Sequence, residues 1–253
     1  GGNAATEVSV TGITFDTTPP AFTSVSPSTN SIVKTTAVGY TLSEAIASGS
    51  VVWTRTGGTA DGNSPHTAAL AGTELNTGQR ASAVLTNAPT LVSGTIYTIA
   101  FNGTDAGGNA ATEVSVTGIT FDTTAPTIIA STTIASDNST ATVTFSEAVF
   151  DTNGGSGALE ATDFTLSISG GVATLGAATP TSISISGNAY TLGFNLSGTP
   201  TGAETLRIVP SSATAIYDAA GNAASTSQSN NTITLNDQLS PTVSGTTVAS
   251  DNT

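Results

Sequence analysis

The chain has 253 residues, 37% hydrophobic and only 8% charged, and its 17 Asp and Glu outweigh four Lys and Arg to give a formal net charge of −13. So few cations exclude phosphate-backbone recognition, and nucleic acid with it, and disfavour anionic membranes; the absence of Cys excludes a disulfide framework. No apolar run approaches the roughly 18 residues that insertion of a spanning helix requires, so the acids must face water or gather round a bound cation.

Period-two alternation dominates, which predicts strands. In chain order the first set is Ala37–Leu42, Ser50–Arg55, Ala81–Leu85, Thr95–Asn102 and Glu113–Phe121. The second is Thr140–Phe145, Phe164–Ser169, Val172–Leu175, Ser182–Ser186, Ala189–Asn195, Thr205–Val209 and Thr232–Leu235. Short Thr- and Val-rich strands separated by Gly, Asn and Pro predict an all-β fold of immunoglobulin-like sandwiches. Trp53 fits a core position, although it shares a face with Arg55 and the two could form a sugar-stacking platform. Tyr97 suits a corner tyrosine bonded to backbone. His66, the one histidine, is expected in an exposed loop, and no nucleophile, base and acid set is legible around it. The expectation is a protein that is not an enzyme.

The segment GGNAATEVSVTGITFDTT at residues 1–18 returns unchanged at 107–124. Looser landmarks recur as well. LSEAI (42–46) matches FSEAV (145–149), TDAGGNAA (104–111) matches YDAAGNAA (217–224), and FDTTPP, FDTTAP and NDQLSP occupy three successive junctions. These predict four pieces: residues 1–18 as the last strand of a preceding repeat, 19–124 and 125–239 as two complete repeats, and 240–253 as the first strand of a following one. With no Met in the sequence, the expectation is a piece of a longer protein.

A closing strand ending D-T-T-A-P, a strand ending S-E and a late D-x-x-G-N loop, in that order, resemble the bacterial immunoglobulin-like tandem repeats of large secreted or surface-anchored adhesin-type proteins. The resemblance covers nearly the whole chain. It implies a rod of tandem domains, an extracellular or cell-surface location, partners that are neighbouring repeats, and calcium at the junctions. The implied role is a calcium-stiffened structural or adhesive spacer. Two alternatives stand beside it: a filament, sheath or surface-layer subunit that exchanges strands between chains, and a carbohydrate-binding module.

In a sandwich whose strands alternate in direction, the S-E and D-x-x-G-N elements lie at the entry pole, facing the exit aspartate of the preceding unit. The candidate ligands are therefore Asp16, Glu44, Asp105 and Asn109 at one junction, and Asp122, Glu147, Asp218 and Asn222 at the next. Three neighbouring carboxylates repel unless neutralised, and a hard cation with flexible oxygen coordination, Ca²⁺, suits them best. The same letters also suit plain turns: Asp opens them, Gly-Asn tolerates positive φ, and Asp before Thr-Thr makes an Asx-turn. Asn236 and Asp237 break the pattern at the third junction, and Asp137 and Asp151 are expected to be solvated.

Overall fold

The computed structural model describes residues 1–245 and divides the chain into two compact units, Gly1–Thr123 and Thr124–Thr253. Among the described residues, helical structure is confined to two short 3₁₀ turns, Gly72–Leu75 and Ala161–Asp163.

The first unit packs two sheets face to face. One is three-stranded, β1 (Phe22–Ser26), β3 (Val38–Leu42) and β6 (Gly78–Ala83), joined in that order. The other runs β2 (Ile32–Val33), β8 (Val114–Phe121), β7 (Thr95–Thr104), β4 (Ser48–Gly58) and β5 (His66–Ala69). Alternation places Val51 and Trp53 of β4, and Tyr97, Ile99 and Phe101 of β7, on the inner face, where all are fully buried. Phe22, Val38, Tyr40 and Leu42 meet them from the opposite sheet. Trp53 and Tyr97 stack edge to face at 5.9 Å, a geometry favoured by the ring quadrupoles. Burial of the Trp53 ring removes the sugar-stacking platform. Arg55 is exposed, and its guanidinium donates to the carbonyls of Thr59 and Gly58.

The second unit has a four-stranded sheet of β13 (Ser182–Ser186), β14 (Ala189–Gly193), β10 (Thr140–Phe145) and β9 (Ile128–Ile134). A second sheet joins β11 (Phe164–Ser169), β16 (Thr205–Pro210) and β17 (Thr232–Thr234), and a short ladder pairs β12 (Thr174–Leu175) with β15 (Leu196–Ser197). Val143, Phe145, Phe164, Leu166, Tyr190, Leu192, Leu206 and Ile208 form its core. The two cores satisfy an inward tyrosine in the same way: Tyr40 donates to the Glu74 carbonyl and Tyr190 to that of Val149.

Residues 1–18, read as the last strand of a preceding repeat, form no strand with the first unit, and Val10, Ile13 and Phe15 are exposed. Residues 240–245, the start of the segment read as the first strand of a following repeat, form none either, and its remainder, 246–253, lies outside the described residues. His66 departs from expectation: it opens β5 and is bonded to Asp61 rather than sitting free in a loop.

Candidate metal centre

Where β7 ends, Asp105 opens a tight turn that closes on itself. Its backbone N–H donates to the Asn109 carbonyl, and Gly108 donates back to the Asp105 carbonyl. Gly108 holds φ at +86°, a conformation that glycine adopts without strain. Asn109 then clasps the carboxylate with its backbone N–H on Oδ1 (2.8 Å) and its side-chain amide on Oδ2 (2.9 Å). These donors, the Asn109 side chain first, hold the Asp105 carboxyl below its ordinary value against the opposing effect of burial.

The same Asn109 amide donates to the Asp16 carbonyl at 3.1 Å, which ties residue 16 to the turn. Asp16 itself folds into an Asx-turn, its Oδ1 accepting from the Thr18 N–H. Glu44 comes from a third stretch, just beyond β3. Its neighbour Ser43 exchanges two bonds with Ala21, backbone N–H to carbonyl and side-chain oxygen from N–H, and this pins the backbone.

One carboxylate oxygen from each of Asp16, Glu44 and Asp105 lies within 4.8 Å of the others. Asp105 is buried, Glu44 half-buried and Asp16 exposed. Burial, and then the charges of Asp16 and Asp105, push the Glu44 carboxyl above its ordinary value. One member is therefore held ionised by fixed donors while another resists ionisation, an imbalance that a dication relieves. The donors fit a hard ion, being all oxygen. Zinc is a poor match, since Cys is absent and the single His is engaged by Asp61. Asn109 directs its amide nitrogen at two oxygens, so it acts here as the clasp on Asp105.

The second unit repeats the clasp atom for atom. Asn222 donates to Asp218 Oδ1 at 2.7 Å and to Oδ2 at 2.8 Å, and Gly221 holds φ at +85°. Ser146 exchanges the same two bonds with Thr127 that Ser43 makes with Ala21, and Glu147 and Asp218 each bring an oxygen within 4.8 Å of the other. Asp122, in the first unit, follows β8. Its N–H donates to the Val33 carbonyl and its Oδ1 accepts from the Ser93 hydroxyl. Asn236 is bonded to Asn138 and Ala135, and Asp237 caps the N–H of Leu239. Asp137 closes a local turn with Ser139, and Asp151 keeps one carboxylate oxygen buried without a partner.

Sequence reasoning missed two buried carboxylates. Asp61 accepts from Asn63, His66 and the Tyr97 hydroxyl, the last two at 2.6 Å, and is drawn down to about 2. The Tyr97 oxygen also accepts from the Val92 N–H, which is the corner-type backbone bond expected of it. Glu204 accepts from the N–H groups of Val172, Ala173 and Thr201, and falls to about 2 as well, the Ala173 bond contributing most. The Tyr97 bond to Asp61 and the Val172 and Ala173 bonds to Glu204 join residues 31 to 36 apart in sequence, which period-two patterns do not reveal. The clue was composition, since an acid beside Gly or Pro turns is a ready backbone acceptor.

Two packed sheets of alternating strands, with Tyr97 in the corner position, define the first unit as an immunoglobulin-like β-sandwich. Residues 16–123 match the bacterial Ig-like domain family, so this unit is a bacterial Ig-like domain, of a kind found in extracellular or surface proteins of bacteria. The family is non-catalytic. None of the curated proteins matches the chain. Among solved structures, dimeric latent PorU from Porphyromonas gingivalis is similar at 15% identity over 88% of this chain and 24% of its own, with a TM-score of 0.25. Chitinase ChiA74 from Bacillus thuringiensis is similar at 14% identity over 85% of this chain and 28% of its own, with a TM-score of 0.22. The chain thus spans about a quarter of each. No helix among the described residues is long and apolar enough to cross a membrane.

Proposed function

We propose that this chain is a non-catalytic structural segment of an extracellular bacterial protein, a spacer of adhesin type whose acidic clusters bind Ca²⁺. The observation that carries this reading is the meeting of Asp16, Glu44 and Asp105, from three separate stretches, within 4.8 Å. In such a site the calcium ligands would be these three carboxylates, with Asn109 orienting Asp105. The sequence repeat extends the proposal to Asp122, Glu147 and Asp218, with Asn222 in the orienting role. Neighbouring repeats of the same protein are the partners of such a spacer.

Extracellular calcium modules bind with dissociation constants of about 10⁻⁴–10⁻³ M, so a tenfold excess of ion stabilises a site by about 1.4 kcal/mol. That is small beside a folded core. It is enough to bias a pair of domains whose interface would otherwise flex. The test is thermal unfolding followed at Trp53, in millimolar calcium and in chelator, for the wild type and for Glu44→Gln. An upward shift of about 5 °C with calcium is expected for the wild type and none for the variant. Superimposable wild-type curves would sink the reading.

The carbohydrate alternative loses its basis with Trp53 buried.

A further inference from the structure

An edge strand offers unpaired N–H and C=O groups to other chains unless something blocks it. Most edges of this chain are blocked. β1 and β9 have register shifts in their ladders, and the N–H of Ile128 in β9 is taken by the Gln228 side chain. β6 sets Arg80 opposite the inward Tyr40, with the guanidinium Nε buried. β11 gives its Leu166 N–H to the Ala178 carbonyl. β2, β5, β12, β15 and β17 have only two to four residues each.

β13 has none of these devices. Its five residues pair with β14 at five consecutive positions without a shift. Among the described residues no strand joins its other edge, and the strand holds neither Pro nor a charge. Ile183 and Ile185 lie opposite the buried Leu192 and Tyr190, so they share the core face. The core thins out there. Ile185 is 46% exposed, and beside it opens a cleft of about 470 Å³ lined by Val149, Leu159 and Tyr190. On the outer face, Thr142 is bonded to Thr191, which lies opposite the exposed Ser184, so a row of hydroxyls runs to the edge.

The strand, SISIS, reads the same in both directions. An antiparallel copy centred on Ser184 therefore sets Ser182 against Ser186, Ile183 against Ile185, and Ser184 against its own counterpart. Apolar meets apolar on one face and hydroxyl meets hydroxyl on the other, the pairings that stabilise neighbouring strands. Ile183 of the second copy would arrive at the rim of the cleft. From this self-complementarity and the unblocked edge, we propose that β13 is a self-association surface. Its occupant is β13 of a second copy of this chain, joined about a two-fold axis through Ser184. Such a contact uses the same patch on both copies and closes as a dimer.

Charge selects this occupant. A chain of net charge −13 repels its own copies over most of its surface. The sheet of β13, β14, β10 and β9 contains no charged residue, and none occurs between Phe164 and Ala203. Two copies can therefore approach edge to edge here without like charges meeting. Neither strand leaves its own unit, and the acidic clusters take no part.

The test uses the intact 253-residue chain in chelator, followed by sedimentation equilibrium. Two five-residue strands make a contact below the roughly 1,200 Å² of stable complexes. A species of twice 24.7 kDa is therefore expected to build up across the micromolar to millimolar range, with hydrogen-exchange protection gained by the amides of β13. Ser184→Lys and Ser184→Asp each put like charges together on the axis, and each is expected to weaken association at least about tenfold. Mixing the two variants should restore it. Val172→Lys, at an exposed position outside β13, should leave it unchanged.

Ser184→Cys reads the same axis without a charge: oxidised glutathione is expected to link it into disulfide dimers at least about tenfold faster than Val172→Cys, since directly opposed strand residues lie within disulfide reach. A monomer at every concentration overturns the proposal, as does protection gained elsewhere than β13. So do charged variants that fold and still dimerise, or that stay apart when mixed. Should a charged variant fail to fold, the cysteines decide, and equal rates of cross-linking overturn it. Because calcium is absent throughout, failure here and failure of the calcium reading are separate results.

Discussion

Residues 1–18 and 107–124 share every side chain and differ only in surroundings. In the second copy, β8 is flanked on both edges, and its Val, Ile and Phe side chains close the core of the first unit. In the first copy the same residues face water, and the Asn109 amide on the Asp16 carbonyl anchors that segment. Alternation states which face a strand would bury. Whether a strand forms is decided by the edges and the apolar surface offered to it, because sheet propensity reflects packing more than backbone preference.

The sharpest way to break this comparison is to make the same change at both copies. Ile119→Ala is expected to cost the first unit about 2–5 kcal/mol, the usual range for truncating a buried Ile. Ile13→Ala should change stability by less than about 0.5 kcal/mol, as at other exposed positions. Denaturant unfolding followed by Trp53, the sole tryptophan and a fully buried one, reads the first unit alone. Equal costs would mean that segment 1–18 is packed in solution.

The paired glycines sharpen the comparison further. A Cβ on Gly118 would come within 2.2 Å of Asn30 Oδ1, whereas one on Gly12 would meet nothing within 4 Å. Gly118→Ala is therefore expected to cost about 1–3 kcal/mol through strain and collision. Gly12→Ala, with no ladder holding its φ, relaxes and leaves Trp53-detected unfolding unchanged. Adding Asn30→Gly should recover part of the Gly118→Ala loss, since it removes the colliding oxygen.

Strict alternation made several strands legible: Thr140–Phe145, Phe164–Ser169 and Ser182–Ser186 stand where their letters put them. The strands not seen in the sequence lack that signal. Ile32–Val33 has two residues and exists because it lies beside β8, and Ile128–Ile134 breaks period two with adjacent Ile residues and a Thr pair. His66–Ala69 has one inward side chain, Ala68, and a histidine that looks like loop chemistry until Asp61 is opposite it. At the site, the order of the acidic landmarks indicated which carboxylates of the first unit would meet. The clasping role of Asn109 depends on an amide orientation that spacing does not encode.

Acid tests the seat of β8 from beneath. Tyr97, opposite Ile119, donates to Asp61, whose carboxyl is lowered from its ordinary 3.8 to about 2, the Tyr97 bond contributing most. Between about pH 4 and pH 2 the unfolded chain takes up a proton that the folded chain refuses. This contribution is therefore complete above pH 4, falls as the pH falls, and is gone below about pH 2. Trp53-detected stability is expected to decline over that window, and Tyr97→Phe to flatten the decline. An unaltered slope in the variant would remove the Tyr97–Asp61 bond from the account.

Asp16 is where the exposed copy meets Asn109 and Glu44, and the smallest expected effect falls there, at Glu44. The Glu44 carboxyl is raised by burial and by Asp16 and Asp105, so without a cation the folded state retains a proton that the unfolded state has already released. That contribution to stability is present at low pH and declines as the pH rises through the raised value. At neutral pH in chelator, Glu44→Gln should therefore melt slightly above the wild type. In calcium the order should reverse, because the wild type gains a ligand that the variant has lost. A glutamate needed only for the fold would lower both curves on removal, and a bystander would move neither. Only an anion placed to share a cation with Asp16 and Asp105 makes the two curves change places.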